Sequence, residues 1–148
     1  MIVLGLDLGD RRIGVAVADL DTRTARPLTT LPNNRALFNE LVKLRHQYNF
    51  RMIVVGWPTH ITGQMSAQTK RVQALSERIR ERLPGVELVF EDERLTSKLA
   101  EARLRGTSYR KGDIDAVSAQ LILEGWLSRQ PARAGEGDLG DNPKNPLP

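Results

Sequence analysis

The 148-residue sequence contains no cysteine, and this absence excludes several kinds of chemistry. Without thiols the chain can form no disulfide framework, no thiolate metal centre and no thiol nucleophile. Aromatic residues are scarce, at 5% of the chain. No apolar run approaches the roughly 20 residues that a membrane-spanning helix needs, and no basic segment precedes the apolar N-terminus as it would in a signal peptide. We therefore expect a soluble cytoplasmic protein that does not bind membranes.

Positive charge, by contrast, is in excess. The formal net charge at pH 7 is +4, from 22 basic and 18 acidic residues. A basic balance favours polyanionic partners such as nucleic acid. Many basic proteins simply expose their lysines and arginines to solvent, so charge alone leaves both interpretations open.

The hydrophobic pattern predicts one α/β domain over residues 1–128. Two apolar runs around the turn "GDRR" predict a hairpin, and "ARPLTTL" (25–31) predicts a third strand that Pro27 confines to an edge or a strand start. Further strands are predicted at 51–56 and 86–93, and helices at 33–48, 66–83, 95–106 and 113–127. This order predicts a layered mixed sheet. The Pro- and Gly-rich tail, residues 129–148, is predicted to be disordered.

Three acidic residues lie where a shared site would explain them. Asp7 stands within the first apolar strand, Glu93 where the last strand ends, and Asp115 at the start of the last helix. Each also has a separate explanation: a turn residue, a surface charge at a strand end, and an acid stabilised by the helix dipole. Parallel strands, however, present their C-terminal ends at one edge of a sheet, and a helix packed across it can bring in a third group.

Small residues at Gly5, Gly9 and Ala119 leave room for such a meeting. Three carboxylates at short range repel one another and raise one another's pKa unless a divalent cation supplies compensating charge. Oxygen ligands without cysteine suit Mg²⁺ or Mn²⁺ better than structural zinc. A metal site is therefore one explanation for the carboxylate in the first strand.

Four segments of the chain resemble the YqgF family, also called RuvX, which comprises Holliday junction resolvases and pre-16S rRNA nucleases. They are "LGLDLGDRRIGVAVAD", "MIVVGWPTHITGQMSAQTKRVQAL", "EDERLTSKLAEARL" and "KGDIDAVSAQLILEGWL". The first-strand aspartate of the family falls on Asp7, the glutamate of its D-E-R-L-[ST] motif on Glu93, and the aspartate of its K-G-x-x-D motif on Asp115. The resemblance covers residues 1 to about 128. It implies an RNase H-like three-layer fold, with a central mixed five-stranded sheet flanked by helices.

The sequence departs from the family pattern near the first motif and after the fourth strand. "GDRR" places Asp10 and Arg11 where Thr-Lys is usual, and Trp57 replaces a usual leucine. We expect Asp10 to face solvent. Strand alternation lets Glu91 share the face of Glu93, so whether Glu91 or Asp92 assists Glu93 stays open.

The resemblance also implies a chemistry and a binding surface. Phosphodiester hydrolysis would use two divalent ions, Mg²⁺ or Mn²⁺, roughly 3.5 to 4 Å apart. Asp7 would bridge the ions, while Glu93 and Asp115 would each hold one. Basic residues beside these acids would bind phosphates without reading sequence. They are Arg11, Arg12, Arg94, Lys98, Arg110 and Lys111. Ordinary surface charge is the alternative for each, and an internal ion pair to Asp92 or Glu91 is a further one for Arg94.

The substrate stays open at this point. The family allows 5′-end processing of pre-16S rRNA and cleavage of branched DNA. A Holliday junction is two-fold symmetric, so a resolvase requires two coordinated sites and hence a homodimer, whereas an rRNA nuclease does not. The alternative function is a catalytically silent nucleic-acid-binding module.

Overall fold

A computed structural model describes residues 1–58, 66–93, 96–106 and 111–131, with no description of the side chains of residues 96–98 and 111. The predicted strands and helices all appear in it. The elements are β1 Ile2–Leu8, β2 Arg12–Asp19, β3 Thr24–Pro32, α1 Ala36–Tyr48, β4 Met52–Trp57, α2 Ala67–Arg82, β5 Glu87–Asp92, α3 Thr96–Leu104 and α4 Lys111–Ser128. Among these described helices, none has the length and apolar character needed to cross a membrane.

One mixed sheet forms the centre of the molecule, with strand order β3-β2-β1-β4-β5. The β1–β2 and β2–β3 pairs are antiparallel, whereas β4 pairs parallel to β1 and β5 parallel to β4. Helices α1 and α2 cover one face, and α4, with α3 against it, covers the other. The predicted RNase H-like three-layer arrangement is confirmed.

The two faces of β1 bury different kinds of residue. Leu4, Leu6 and Leu8 pack into the larger core beneath α1 and α2. Alternate side chains of a strand point to opposite faces, so Val3 and Asp7 lie on the face that α4 covers. The period of the strand therefore places a carboxylate beneath a helix.

Glycines on the sheet allow α4 to lie unusually close to it. A Cβ built at Gly14 would fall 1.9 Å from the Asp115 carbonyl oxygen, and one at Gly5 would fall 2.5 Å from Leu123 Cγ. Gly5 thus leaves room for the helix, as the sequence predicted. The prediction for Gly9 was wrong: its amide donates to the carbonyl oxygen of Arg12 at 3.0 Å, so it shapes the hairpin turn instead.

Polar contacts also join α4 to the edge strand β3 and to Arg23, which directly precedes it. The Gln120 amide donates to the Ala25 carbonyl oxygen at 3.1 Å, and the Arg23 guanidinium donates to the Leu127 carbonyl oxygen at 2.7 Å. Pro27 lies where the β2–β3 register shifts, which agrees with its predicted place on an edge strand. These contacts fix the position of α4 along the sheet.

Two expectations for α4 were wrong. The helix begins at Lys111, so Asp115 lies in its second turn rather than its first, where the helix dipole has weakened. The spacing of apolar residues predicts that Ile114, Val117, Leu121 and Trp126 face the core. Val117 and Trp126 are buried, whereas Ile114 and Leu121 are only half-buried. The sheet glycines Gly5, Gly14 and Gly56 instead meet Leu123, the Asp115 backbone and Ile122, and Ala119 is fully buried in the same core.

We expect Gly14→Ala to destabilise the fold by about 3 kcal/mol or more, because the new methyl group would overlap the backbone of α4. Gly112→Ala is the matched control, since a Cβ there would lie 3.4 Å from the Thr30 side chain, at ordinary contact distance. Urea unfolding followed by circular dichroism measures both. Equal stability of the two variants would contradict the close approach of α4.

Candidate active site

Two of the predicted acids meet on the α4 face of the sheet. Asp7 lies near the end of β1, and Glu93 directly follows β5, where its amide donates to the Trp57 carbonyl oxygen at 3.2 Å. Their side chains hydrogen bond to each other. Because β4 separates β1 from β5, the Glu93 side chain must pass over β4 to reach Asp7.

Gly56 makes this passage possible. It is in β4, and a Cβ at this position would lie 2.6 Å from Glu93 Oε1 and 2.5 Å from Ile122 Cδ1. Any side chain here would occupy the space that Glu93 uses. Sequence reasoning missed Gly56 and Gly14, although both are glycines inside predicted strands, a pattern that often marks the close approach of another group.

The carboxyl pair has strongly perturbed protonation. Burial raises the pKa of Glu93 to about 8, with repulsion from Asp7 and the hydrogen bond to Asp7 adding to the effect. Burial also raises the pKa of Asp7, opposed by the hydrogen bond from Glu93 and reinforced by the negative charge of Asp115. Near neutral pH a proton therefore lies on Glu93 and is donated to Asp7.

Asp115 is close enough to act on Asp7 electrostatically but is held by another partner. Arg12 Nε donates to Asp115 Oδ2 at 2.6 Å. Within the described ranges, no three acidic or imidazole side chains are gathered closely enough to hold one metal ion together. The structure thus joins Asp7 to Glu93, and it places Asp115 beside this pair in an ion pair with Arg12.

The donor set fits a hard divalent cation. All three side chains supply carboxylate oxygens, which Mg²⁺ and Mn²⁺ prefer. The proton between Asp7 and Glu93 lowers the negative charge of this pair, and a divalent cation would lower it further. Asp115 would complete the set after release from Arg12.

The six predicted nucleic-acid-binding residues are only partly described. Arg11 is exposed in the hairpin turn, and Arg12 is at the start of β2, beside the acids. Arg94 and Arg110 lie outside the described residues. The backbones of Lys98 and Lys111 belong to α3 and α4, but their side chains lie outside the description.

Neighbouring acids are engaged elsewhere. Asp10 is exposed, as predicted, and accepts two hydrogen bonds from Arg71 of α2, at 3.0 and 3.3 Å. Glu91 is 7% exposed on the α4 face, where it forms an ion pair with Arg129. Glu91 therefore shares the face of Glu93, as strand alternation allowed, but its charge is neutralised at the far end of α4.

Taken together, the strand order, the helix across the sheet and the carboxylates at the ends of β1 and β5 define a protein of the RNase H-like class. The RuvX family model, described as Holliday junction resolvase, matches residues 1–129. The chain belongs to this family.

Similar proteins agree with this assignment. A protein of Salinibacter ruber named "Putative pre-16S rRNA nuclease" is 44% identical over 133 residues, covering 86% of this chain and 92% of that protein. A Sulfurihydrogenibium protein of the same name is 38% identical, covering 86% of this chain and 90% of its own length. The Thermus thermophilus RuvC structure has a TM-score of 0.54 at 12% identity, over 86% of this chain and 94% of that one. At this low identity, the similarity to the RuvC structure shows a shared fold only.

We expect the stability of the metal-free protein to fall as pH rises from about 5 to about 9. The folded-state pKa of Glu93, about 8, exceeds its usual value of 4.5, so the folded state binds more protons than the unfolded state between these values. Stability is then lost as pH rises through the folded-state pKa. Glu93→Gln should flatten this dependence, measured by urea unfolding in chelator.

Glu87→Gln is the control for this experiment, because it makes the same change on an exposed side chain of β5. It should leave the dependence on pH as in the wild type. Identical slopes for the two variants would contradict the raised pKa of Glu93.

Proposed function

We propose that this protein is a nuclease that hydrolyses phosphodiester bonds in structured nucleic acid and depends on Mg²⁺ or Mn²⁺. The observation that carries the proposal is the Asp7–Glu93 carboxyl pair across Gly56, with Asp115 beside it. Burying two acids side by side destabilises the folded state at neutral pH. Such strongly perturbed acidic groups are typical of functional sites. Membership of the RuvX family supports the same conclusion.

Asp7, Glu93 and Asp115 are the residues that would hold the metal. When bound, Mg²⁺ or Mn²⁺ lowers the pKa of water and neutralises charge on the phosphate. Glu93 must release its proton before it can serve as an anionic ligand, so metal binding and deprotonation are coupled. Gly56 keeps the space above β4 open for the Glu93 side chain. No side chain of the chain needs to form a covalent intermediate.

The substrate backbone would be held by the basic residues around the acids. Arg11 and Arg12 come from the hairpin turn and the start of β2, on the side of the site opposite Glu93. The remaining proposed phosphate-binding residues are Arg94, Lys98, Arg110 and Lys111. Such contacts neutralise phosphates and orient the strand, so affinity should fall steeply with salt.

For the substrate, we propose 5′-end processing of pre-16S rRNA in the cytoplasm. The names of relatives that are 38% to 44% identical over most of their length support this choice. Resolution of Holliday junctions is the second candidate, which the description of the family model supports. The second function would require a homodimer, because a junction offers two symmetric cleavage sites.

We expect Asp7→Asn to lower cleavage at least about 100-fold while leaving the fold and nucleic-acid affinity largely intact, since a carboxylate at the centre of the site is lost. The measurement uses a labelled 16S precursor 5′ fragment and a labelled four-way DNA junction side by side, with Mg²⁺, Mn²⁺ or chelator. Asp10→Asn is the matched control, because Asp10 is exposed and pairs with Arg71. It should retain wild-type cleavage.

The substrates separate the candidate functions. Trimming of the RNA fragment with an uncut junction indicates rRNA processing, and paired symmetric nicks in the junction indicate a resolvase. Binding of both substrates without metal-dependent cleavage of either would favour the silent binding module and refute the nuclease. Full activity of the Asp7→Asn protein would remove Asp7 from the mechanism.

A further inference from the structure

The ion pair between Arg12 and Asp115 occupies one of the three acids of the proposed site. Arg12 Nε lies 2.6 Å from Asp115 Oδ2, and the two side chains are 43% and 22% exposed. The same carboxylate acts electrostatically on Asp7. Asp115 therefore lies between the guanidinium of Arg12, with which it pairs, and Asp7, which it repels.

The backbone positions Asp115 close to both Arg12 and Asp7. Gly14 lies directly beneath the Asp115 carbonyl oxygen, which holds this turn of α4 against β2. Arg12 is two residues earlier in β2 and so points to the same face of the sheet. Asp7 pairs with Gly14 in the β1–β2 register. Asp115 is thus anchored above the pair of strands that carries both Asp7 and Arg12.

We propose that Arg12 is a positioning residue that withholds Asp115 from the metal until a phosphate of the nucleic acid binds its guanidinium. Metal and nucleic acid then bind cooperatively, since each favours the arrangement in which Asp115 has left Arg12. This inference rests on the proposed function, because it assumes that Asp115 is a ligand of the metal.

The exchange is chemically balanced and of low cost. A guanidinium donates to phosphate oxygens with the same forked geometry that it uses toward a carboxylate. The pair is partly exposed, so water screens the charges and little free energy is lost on separation. Any effect of nucleic acid on metal affinity must be matched by an equal effect of metal on nucleic-acid affinity.

A double-mutant cycle on Mn²⁺ affinity tests the proposal without measuring cleavage. Electron paramagnetic resonance gives the free Mn²⁺ for the wild type, Arg12→Gln, Asp115→Asn and the double variant. Arg103→Gln is the matched control, since Arg103 pairs with Glu124 of α4 at 3.2 Å and is 45% exposed, but lies away from the acids. It removes the same charge from a similar ion pair.

We expect Arg12→Gln to tighten Mn²⁺ binding by the free protein about fivefold. The change should vanish in the Asp115→Asn background, because Arg12 acts through Asp115. Arg103→Gln should leave Mn²⁺ affinity unchanged. A general effect of positive charge would instead persist in the Asp115→Asn background, and that result would overturn the proposal.

The reciprocal measurement uses a labelled single-stranded RNA with phosphorothioate linkages. Its affinity, from fluorescence anisotropy, should rise about fivefold with Mn²⁺ for the wild type and show no such rise for Arg12→Gln. Arg12→Lys keeps the positive charge but lacks the forked guanidinium, so it should give an intermediate rise in affinity. It also allows the test if the Arg12→Gln protein does not fold. Equal rises for all variants would overturn the coupling alone, whereas failure of the wild type to bind Mn²⁺ at all would refute the metal-dependent function itself.

Discussion

The close contact between α4 and the sheet is the constraint on which the site depends. At Gly14 the helix backbone occupies the space of a side chain, and at Gly56 a carboxylate and an isoleucine occupy it. Protein interiors are packed too densely for such contacts to relax by small shifts. The separation of helix and sheet is therefore set by residues without side chains. This separation lets Asp7 and Glu93 touch and places Asp115 of α4 beside them.

This packing concentrates negative charge that the fold compensates in two ways. Between Asp7 and Glu93 the compensation is a proton, which the raised pKa of Glu93, about 8, retains at neutral pH. At Asp115 it is the guanidinium of Arg12. In the proposed reaction a metal ion would replace the proton between Asp7 and Glu93, and a phosphate would replace Asp115 as the partner of Arg12. The same two contacts that stabilise the acids in the free protein therefore occupy the groups that the proposed reaction needs.

Sequence reasoning found the acids but missed what brings them together. Asp7 and Glu93 could be found because a charge within or directly after an apolar strand is conspicuous. Gly56 and Gly14 were not recognised, since a glycine in a strand carries no sign of which element approaches it. The prediction of which α4 residues are buried was wrong at Ile114 and Leu121. Periodicity alone does not indicate how closely a helix packs on a sheet. The partner of Glu91 was missed for a similar reason, as Arg129 is 38 residues away in sequence.

The sequence by itself determined the order of strands and helices and the mixed sheet, because these depend on local periodicity and turn residues. It also predicted the three acids of the proposed site. Tertiary structure alone decided which acids touch and which are paired with arginine. Those contacts depend on distances between elements far apart in the chain, as with Arg12 and Asp115, which are 103 residues apart. Such distances are set by packing, a property of the whole fold that no short stretch of sequence carries.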